Sequence, residues 1–462
     1  MANRSSVSAL VERSPRALIR GRNVAVGSRV STRTREAERS ELVRWAILVG
    51  AGVFATTFAQ PAVLKLPLQY LLKSDLHVSR DAMAAFFAAG ALAWYFKPLA
   101  GILSDSVPLF GTRRRHYLLL SGVAAGGLWL LIGLVPRTYA ALLAAVIAMN
   151  AMLVVGSTVV GGVMVEVGQR YRATGRLSSA RYFVQNACVL LGGPVGGFLA
   201  ARSFGLTALV GAAVALSVVP VAWWLLREPP VAGKGAAAWT RAKAELRTLM
   251  HSGTLWSAAG LLFLVYIAPG FQTPLYYYQT DTLGLSQEFI GTLSFFSGAF
   301  GLVGAFLYGV LCRRLPLRWL LALGIALSAL GTLGYLLYRS GMAAALIEGE
   351  NGLLVTLAEL ALMDLAARAT PRGSEGLGFA LMMSVRNAAL AVSDIFGSWL
   401  IERHQVSFFS LVWLNAGTTA LVLLAVPFLP RGLIDRRDDA PGVEITHSRP
   451  CSPPGDAAVG SL

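Results

Sequence analysis

The sequence predicts an all-α membrane protein: twelve transmembrane helices in two six-helix halves related by pseudo-twofold symmetry. Three observations lead there. The 462 residues are 55% hydrophobic and 14% charged, with a mean hydropathy of +0.60, so there are too few charges to coat a water-soluble globule. Apolar runs of about 20 residues, enough to cross a hydrocarbon core, recur at 43–66, 82–104, 116–135, 140–165, 178–200, 206–226, 255–279, 288–311, 317–338, 342–366, 377–400 and 408–429. Finally, the chain repeats itself. Pro-Leu-x-Tyr at Pro67 to Tyr70 returns at Pro274 to Tyr277, a shift of 207 positions, and Val184-x-Asn186-Ala187 returns as Val385-x-Asn387-Ala388.

Charge placement orients the helices. The net charge of +16 is gathered in the amino tail, Arg113 to Arg115, Arg170/Arg172/Arg176, Arg241/Lys243/Arg247, Arg313/Arg314/Arg318, Arg368/Arg372 and the carboxyl tail. Those segments alternate with short loops of mixed sign, so the positive-inside rule puts both termini in the cytoplasm. No basic soluble domain exists to hold nucleic acid, which excludes that partner class. The resulting plan is a disordered amino tail (1–41), a first bundle (42–227), a cytoplasmic linker (228–252), a second bundle (253–429) and a disordered carboxyl tail (430–462). The Arg- and Ser-rich amino tail suits a bacterial inner-membrane protein; a transit peptide to a chloroplast envelope is the alternative. Three dispersed cysteines make no disulfide framework or metal site. No cofactor is expected, and the absence of a Walker motif or a catalytic triad in credible context argues against an ATP-driven pump or an enzyme.

In chain order, helix one carries Thr56, Thr57 and Gln60, with Pro61 and Pro67 breaking its outer part, which reads as a hinge and a wall of the substrate cavity. Helix two ends in Gly101-x-x-x-Asp105. Its following turn, with Pro108 and Gly111, is held in water by Arg113, Arg114 and Arg115. Asp105 is expected to gate by latching helix ends, with Arg113 and Arg115 beside it. Lys97, two turns inside, reads either as an anion-attracting vestibule group or as a snorkelling lysine. Glu166 and Asp364 end helices four and ten one turn before an arginine; they are gating candidates for which local ion pairing competes with proton carriage. On helix five, Arg181, Gln185 and Asn186 form a polar stripe that reads as a substrate-cavity wall or as interhelical hydrogen bonding. Helix seven repeats the pattern of helix one: Pro269, Gly270 and Pro274 free backbone groups that need partners, while Gln272 and Tyr276 to Tyr278 face a planar ring or form an interfacial belt.

Helices ten and eleven hold the deepest charges. Arg386 and Asn387 sit about 15 Å from the cytoplasmic start of helix eleven. A guanidinium there offers a bidentate fork to a carboxylate, or pairs with Glu359. Asp394 lies deeper still. It and Glu359 are the candidate proton carriers, with hydrogen bonding to a neighbouring helix as the structural alternative for Asp394. Glycines such as Gly192, Gly193, Gly196, Gly197, Gly298, Gly301 and Gly304 read as helix-packing surfaces.

The segment 97–121, KPLAGILSDSVPLFGTRRRHYLLLS, resembles the second-to-third-helix loop of the folate-biopterin transporter family, a branch of the major facilitator superfamily. Residues 371–387, PRGSEGLGFALMMSVRN, resemble the start of that family's eleventh helix. The resemblance implies the major facilitator fold. It also implies secondary active transport of a small, planar, anionic metabolite of folate or pterin type, by alternating access and expected to be proton symport. Membrane lipid and the small-molecule substrate are then the partners. One departure stands out: where the family's fourth helix carries acids four apart, this chain has Ser157 and Gly161. That leaves room for a rival reading, a non-transporting facilitator-fold protein that delivers or assembles a lipid-soluble cofactor such as chlorophyll.

Overall fold

The computed structural model describes residues 40–59, 63–170, 174–228, 235–371 and 374–435. Among them every element is helical apart from one isolated bridge, Leu109 to Thr112, in the turn after the second span. Eight described helices are long and apolar enough to cross a bilayer, or nine if the bent pair Ala242–Met250 and Gly253–Tyr266, meeting at 71°, is one span. The large apolar residues on the perimeter, such as Phe306 and Phe428 at 72% and 87% exposed, make sense only against lipid.

In order, α1 (40–59) precedes α2 (Lys65–Ser74), α3 (Arg80–Gly90), α4 (Leu92–Tyr95) and α5 (Lys97–Ser106). Next come α6 (Arg115–Leu134), α7 (Tyr139–Arg170), α8 (Thr174–Ala200), α9 (Phe204–Leu216) and α10 (Val218–Leu225). The linker helix α11 (Gly235–Met250) leads to α12 (Gly253–Tyr266), α13 (Gln272–Tyr277), α14 (Gln287–Arg314), α15 (Leu317–Gly334), α16 (Gly341–Ala369), α17 (Glu375–His404), α18 (Phe408–Leu421) and α19 (Arg431–Ile434).

The predicted spans that fall short of the membrane test are the first, whose residues 60–62 lie outside the described ones, two broken ones, and α16, which carries Glu348, Glu350, Glu359 and Asp364. Span 82–104, expected to be continuous, is divided into α3, α4 and α5. Pro98, in the first turn of α5, cannot donate to the preceding turn and clashes with it. The carbonyl of Gly90, at the first break, is taken by Asn150 Nδ2 at 2.9 Å, and Asn150 Oδ1 accepts from Trp94 Nε1 at 3.0 Å. The seventh span breaks between α12 and α13, and there too the freed groups find partners. Asn415 donates to Pro269 O at 2.9 Å, Ser393 Oγ donates to Ala268 O, and Gly270 N donates to Ser393 O at 2.9 Å. This satisfies the demand that no backbone polar group be left bare in hydrocarbon.

Between the two sets of spans, α8 packs on α14, and α17 runs along α3, α4 and α5. The α8–α14 contact is glycine against glycine: a Cβ on Gly197 would sit 2.6 Å from Gln287 O, and one on Gly291 2.9 Å from Gly197 Cα. At the end of the molecule remote from the linker helix, a charged closure joins the two sets. Lys73 pairs with Asp281 and donates to Thr280, Arg80 meets Glu402 at 3.1 Å, and Arg403 meets Asp81 at 3.3 Å. Partial burial pushes the Asp81 carboxyl up, but the Ser79 hydroxyl, the Ala82 amide and Arg403 outweigh it and hold it below its ordinary value. Tyr277 Oη donates to Val78 O in the same layer. Tyr276 and Tyr277 are 3% and 6% exposed, so they are interior packing and not the interfacial belt that was one expectation. Two of the contacts, Lys65 to Gln272 and Lys73 to Thr280, join residues 207 apart, the shift of the sequence repeat.

Replacing Gly291 with Val is expected to overpack the α8–α14 seam at a cost of about 1–3 kcal/mol. The detergent-solubilised variant should melt at a lower temperature. Gly260→Val, where an added Cβ meets nothing within 4 Å, should melt like the parent.

Candidate functional site

A cavity of about 1790 Å³ lies between the two sets of helices. It extends from Tyr276 and Gln279, under the charged closure, to Arg113, Glu166 and Thr370 at the end that carries the linker helix. Alpha helices that meet tightly at one end and diverge at the other leave such a chamber, and here the tight end is the glycine seam around Gly197 and Gly291.

Arg386 lines the cavity and is paired with Glu359, its guanidinium 4.9 Å from the centroid of the Tyr266 ring. Of the two partners open to Arg386 in the sequence, a ligand carboxylate or Glu359, it is Glu359 on α16 that the guanidinium meets. The Glu359 side chain is 41% exposed, toward the cavity that both residues line. Asn387 is off the lining, its Oδ1 3.5 Å from Arg386 Nη1.

From the first half come Lys97, Arg181 and Gln185, all on the wall. Lys97 Nζ donates to Ser157 Oγ at 3.0 Å and lies 5.4 Å from the Trp94 ring centroid. Ser157 is one of the two positions where the family resemblance calls for an acid, so the ammonium that an acid would neutralise meets a hydroxyl instead. Arg181 makes no hydrogen bond or ion pair with any described residue, and its charge is close enough to be felt by Lys97. Gln60 and the side chain of Asn186 lie outside the described residues.

Asp394 also lines the cavity, but its oxygens are engaged: Oδ1 accepts from Thr273 N at 2.9 Å and Oδ2 from Thr273 Oγ1 at 2.6 Å. It caps the first turn of α13 and ties it to α17. Gln272, one residue earlier, accepts from Lys65 Nζ at 2.9 Å. Tyr276 donates to Gln287 Oε1 at 3.2 Å and presents part of its ring to the cavity.

The gating candidates divide. Arg113 and Glu166 stand at the cavity mouth, where Arg114 reaches Glu166 at 2.6 Å. Arg115 points away, to Trp223 O at 3.2 Å with its guanidinium over the Trp223 ring. Asp364 is held by Arg368 one turn later, at 2.8 and 2.7 Å, and by Tyr308 Oη at 3.2 Å, off the cavity; local pairing accounts for it. The Asp105 side chain lies outside the described residues. Sequence reasoning missed Lys65 and Glu348. The 207-residue shift that maps Lys65 onto Gln272 was the available signal for the first.

A helical membrane chain closed at one end by ion pairs and hollowed by a central chamber of about 1790 Å³ has a fold of the major facilitator type. The model of the BT1 family matches residues 61–440, and the chain belongs to that family. It is 29% identical over 433 residues to the folate-biopterin transporter of Synechocystis sp., spanning 86% of this chain and 83% of that one. It is 28% identical over 362 residues to probable folate-biopterin transporter 5 of Arabidopsis thaliana, covering 73% and 72% of the two chains. Among solved structures it resembles a D-xylose-proton symporter (TM-score 0.62, 17% identity, 84% of this chain and 98% of that one). It also resembles the nucleoside transporter NupG (TM-score 0.64, 12% identity, 83% and 98%). At those identities the likeness is one of fold. The family and these relatives are transporters and not enzymes.

Asp394→Ala leaves the Thr273 amide and hydroxyl without their acceptor. A loss of about 1–3 kcal/mol is expected, read as a lower melting temperature in detergent. Asp394→Asn, which keeps one acceptor oxygen, should lose less.

Proposed function

We propose that this protein moves a small, planar, anionic metabolite of folate or pterin type across a bacterial inner membrane, with both termini in the cytoplasm and with coupling to protons. The observation that carries the reading is the pair Lys97 and Arg181. Both line the cavity, one held only by a hydroxyl and an indole face, the other by no described residue. Cations removed from bulk water without a counter-charge are costly. A cavity that keeps two of them has a standing preference for an anion, and the aromatic walls at Tyr266, Phe271 and Tyr276 suit a flat one. The names of the curated relatives agree with this cargo.

Proton coupling is assigned to the Arg386–Glu359 pair. While Glu359 is ionised it occupies Arg386; a proton on its cavity-facing carboxyl releases the guanidinium for a carboxylate of the cargo. Binding of proton and anion is thereby linked. Alternating access follows from the arrangement of contacts: the charged closure must part for the cavity to reach the opposite face, and the helices around Arg113 and Glu166 must come together.

Arg181→Ala combined with Lys97→Ala should weaken binding of pteroylglutamate to the purified protein by tenfold or more without reducing insertion or monodispersity. An unchanged affinity would remove the anion site from this wall. Glu359→Gln should abolish stimulation of uptake by a pH gradient in proteoliposomes yet preserve counterflow exchange of labelled substrate. Persistence of the gradient effect would move coupling to another group.

A further inference from the structure

The polar groups of the cavity are unevenly distributed. Cations such as Lys65, Lys97 and Arg181 predominate in one half, beside Glu166, whereas the acids Glu348, Glu359 and Asp394 predominate in the other, beside Arg386. Glu359 is occupied by Arg386 and Asp394 by Thr273. Glu348 differs from both. Its Oε1 accepts from Tyr335 Oη at 3.3 Å and Tyr338 Oη at 3.2 Å, while Gln279 Nε2 donates to Tyr338 Oη at 2.7 Å. No described cation pairs with it and no described donor reaches Oε2, although Glu348 lines the cavity. Hydroxyls solvate a carboxylate without neutralising it, so one oxygen is left to accept from whatever enters.

The surroundings are flat and aromatic. Phe271 and Tyr335 share the lining and meet edge to face with centroids 4.9 Å apart, and Tyr335 stacks on Tyr338 at 5.3 Å. A slot walled by rings and floored by a carboxylate with one open oxygen recognises a planar heterocycle whose edge carries N–H donors, because Oε2 then accepts from that edge in the plane of the ring.

We infer that Glu348 receives the N–H donor edge of the cargo, such as the 2-amino-4-oxopyrimidine edge of a pteridine, while Lys97 and Arg181 take its carboxylate end. This deepens the anionic reading above and rests on it. Glu348 comes seven residues after the start of α16 and Arg181 seven residues after the start of α8, at opposite ends of the bundle. At 1.5 Å per residue the two levels lie roughly 20 Å apart along the membrane normal. Only an elongated molecule, with a heterocycle at one end and a carboxylate at the other, reaches both. A compact dicarboxylate or an inorganic anion touches the cationic wall alone.

The test compares pteroylglutamate with its 2-desamino analogue, which keeps the tail and loses the exocyclic donor, by equilibrium binding to the purified full-length protein. The parent protein should prefer the amino compound by tenfold or more, and Glu348→Gln should bind the two nearly alike. Arg181→Ala should weaken both while keeping their ratio. A parent protein without the preference, or a preference that survives in Glu348→Gln, overturns the inference; the first result needs no variant to fold. If Arg181→Ala still weakens both ligands in that case, the anionic reading stands alone. Binding of neither compound by the parent overturns the folate-type reading and this inference together.

Discussion

An ionisable group in hydrocarbon must meet a counter-charge, a hydrogen-bonding partner or water, and this requirement organises the whole molecule. Deep carboxylates are answered one by one: Glu359 by Arg386, Asp364 by Arg368 and Tyr308, Asp394 by the backbone and hydroxyl of Thr273. The groups left partly unanswered, Lys97, Arg181 and Glu348, all open on the central chamber. The pattern separates charges that hold helices together from charges free to meet a ligand. Depth in the membrane alone would not have made that separation, since Asp394 is as deep as any.

The same requirement governs the backbone. Breaks at Gly90 and at Pro269 to Gly270 are possible because Asn150, Asn415 and Ser393 stand ready to receive the freed groups. The broken spans lie beside the cavity, where irregular backbone can be surrounded by protein and water. The span α6, which contributes no residue to the cavity wall, stays continuous.

Much of this was legible in the chain. Hydropathy and charge alternation indicated the class of fold, and the glycine strings of helices five and eight marked the tight seam. The Pro269–Gly270 break and its need for partners followed from proline chemistry. The partner of Arg386 was open between a ligand and Glu359, because a helical wheel constrains neighbours on one helix but not across two. Glu348 escaped notice because it falls six residues into a predicted span, close to an interface where a charge is cheap. Only the packing of α15 against α16 shows its oxygen facing inward, between Tyr335 and Tyr338. The tyrosines after Pro274 looked interfacial by position; burial between halves depends on contacts two hundred residues away, which periodicity does not encode.

The closure made by Lys73, Arg80, Asp81, Asp281, Glu402 and Arg403 joins residues at a water-facing rim, with the Arg403 side chain 68% exposed. Ion pairs of that kind are weakened by dissolved salt over a Debye length of about 8 Å at physiological strength, unlike the glycine seam beneath them. The bolt on that side of the carrier is thus electrostatic and its hinge is steric, so the ionic composition of the bath sets how firmly the door is held while leaving the fit of the frame untouched.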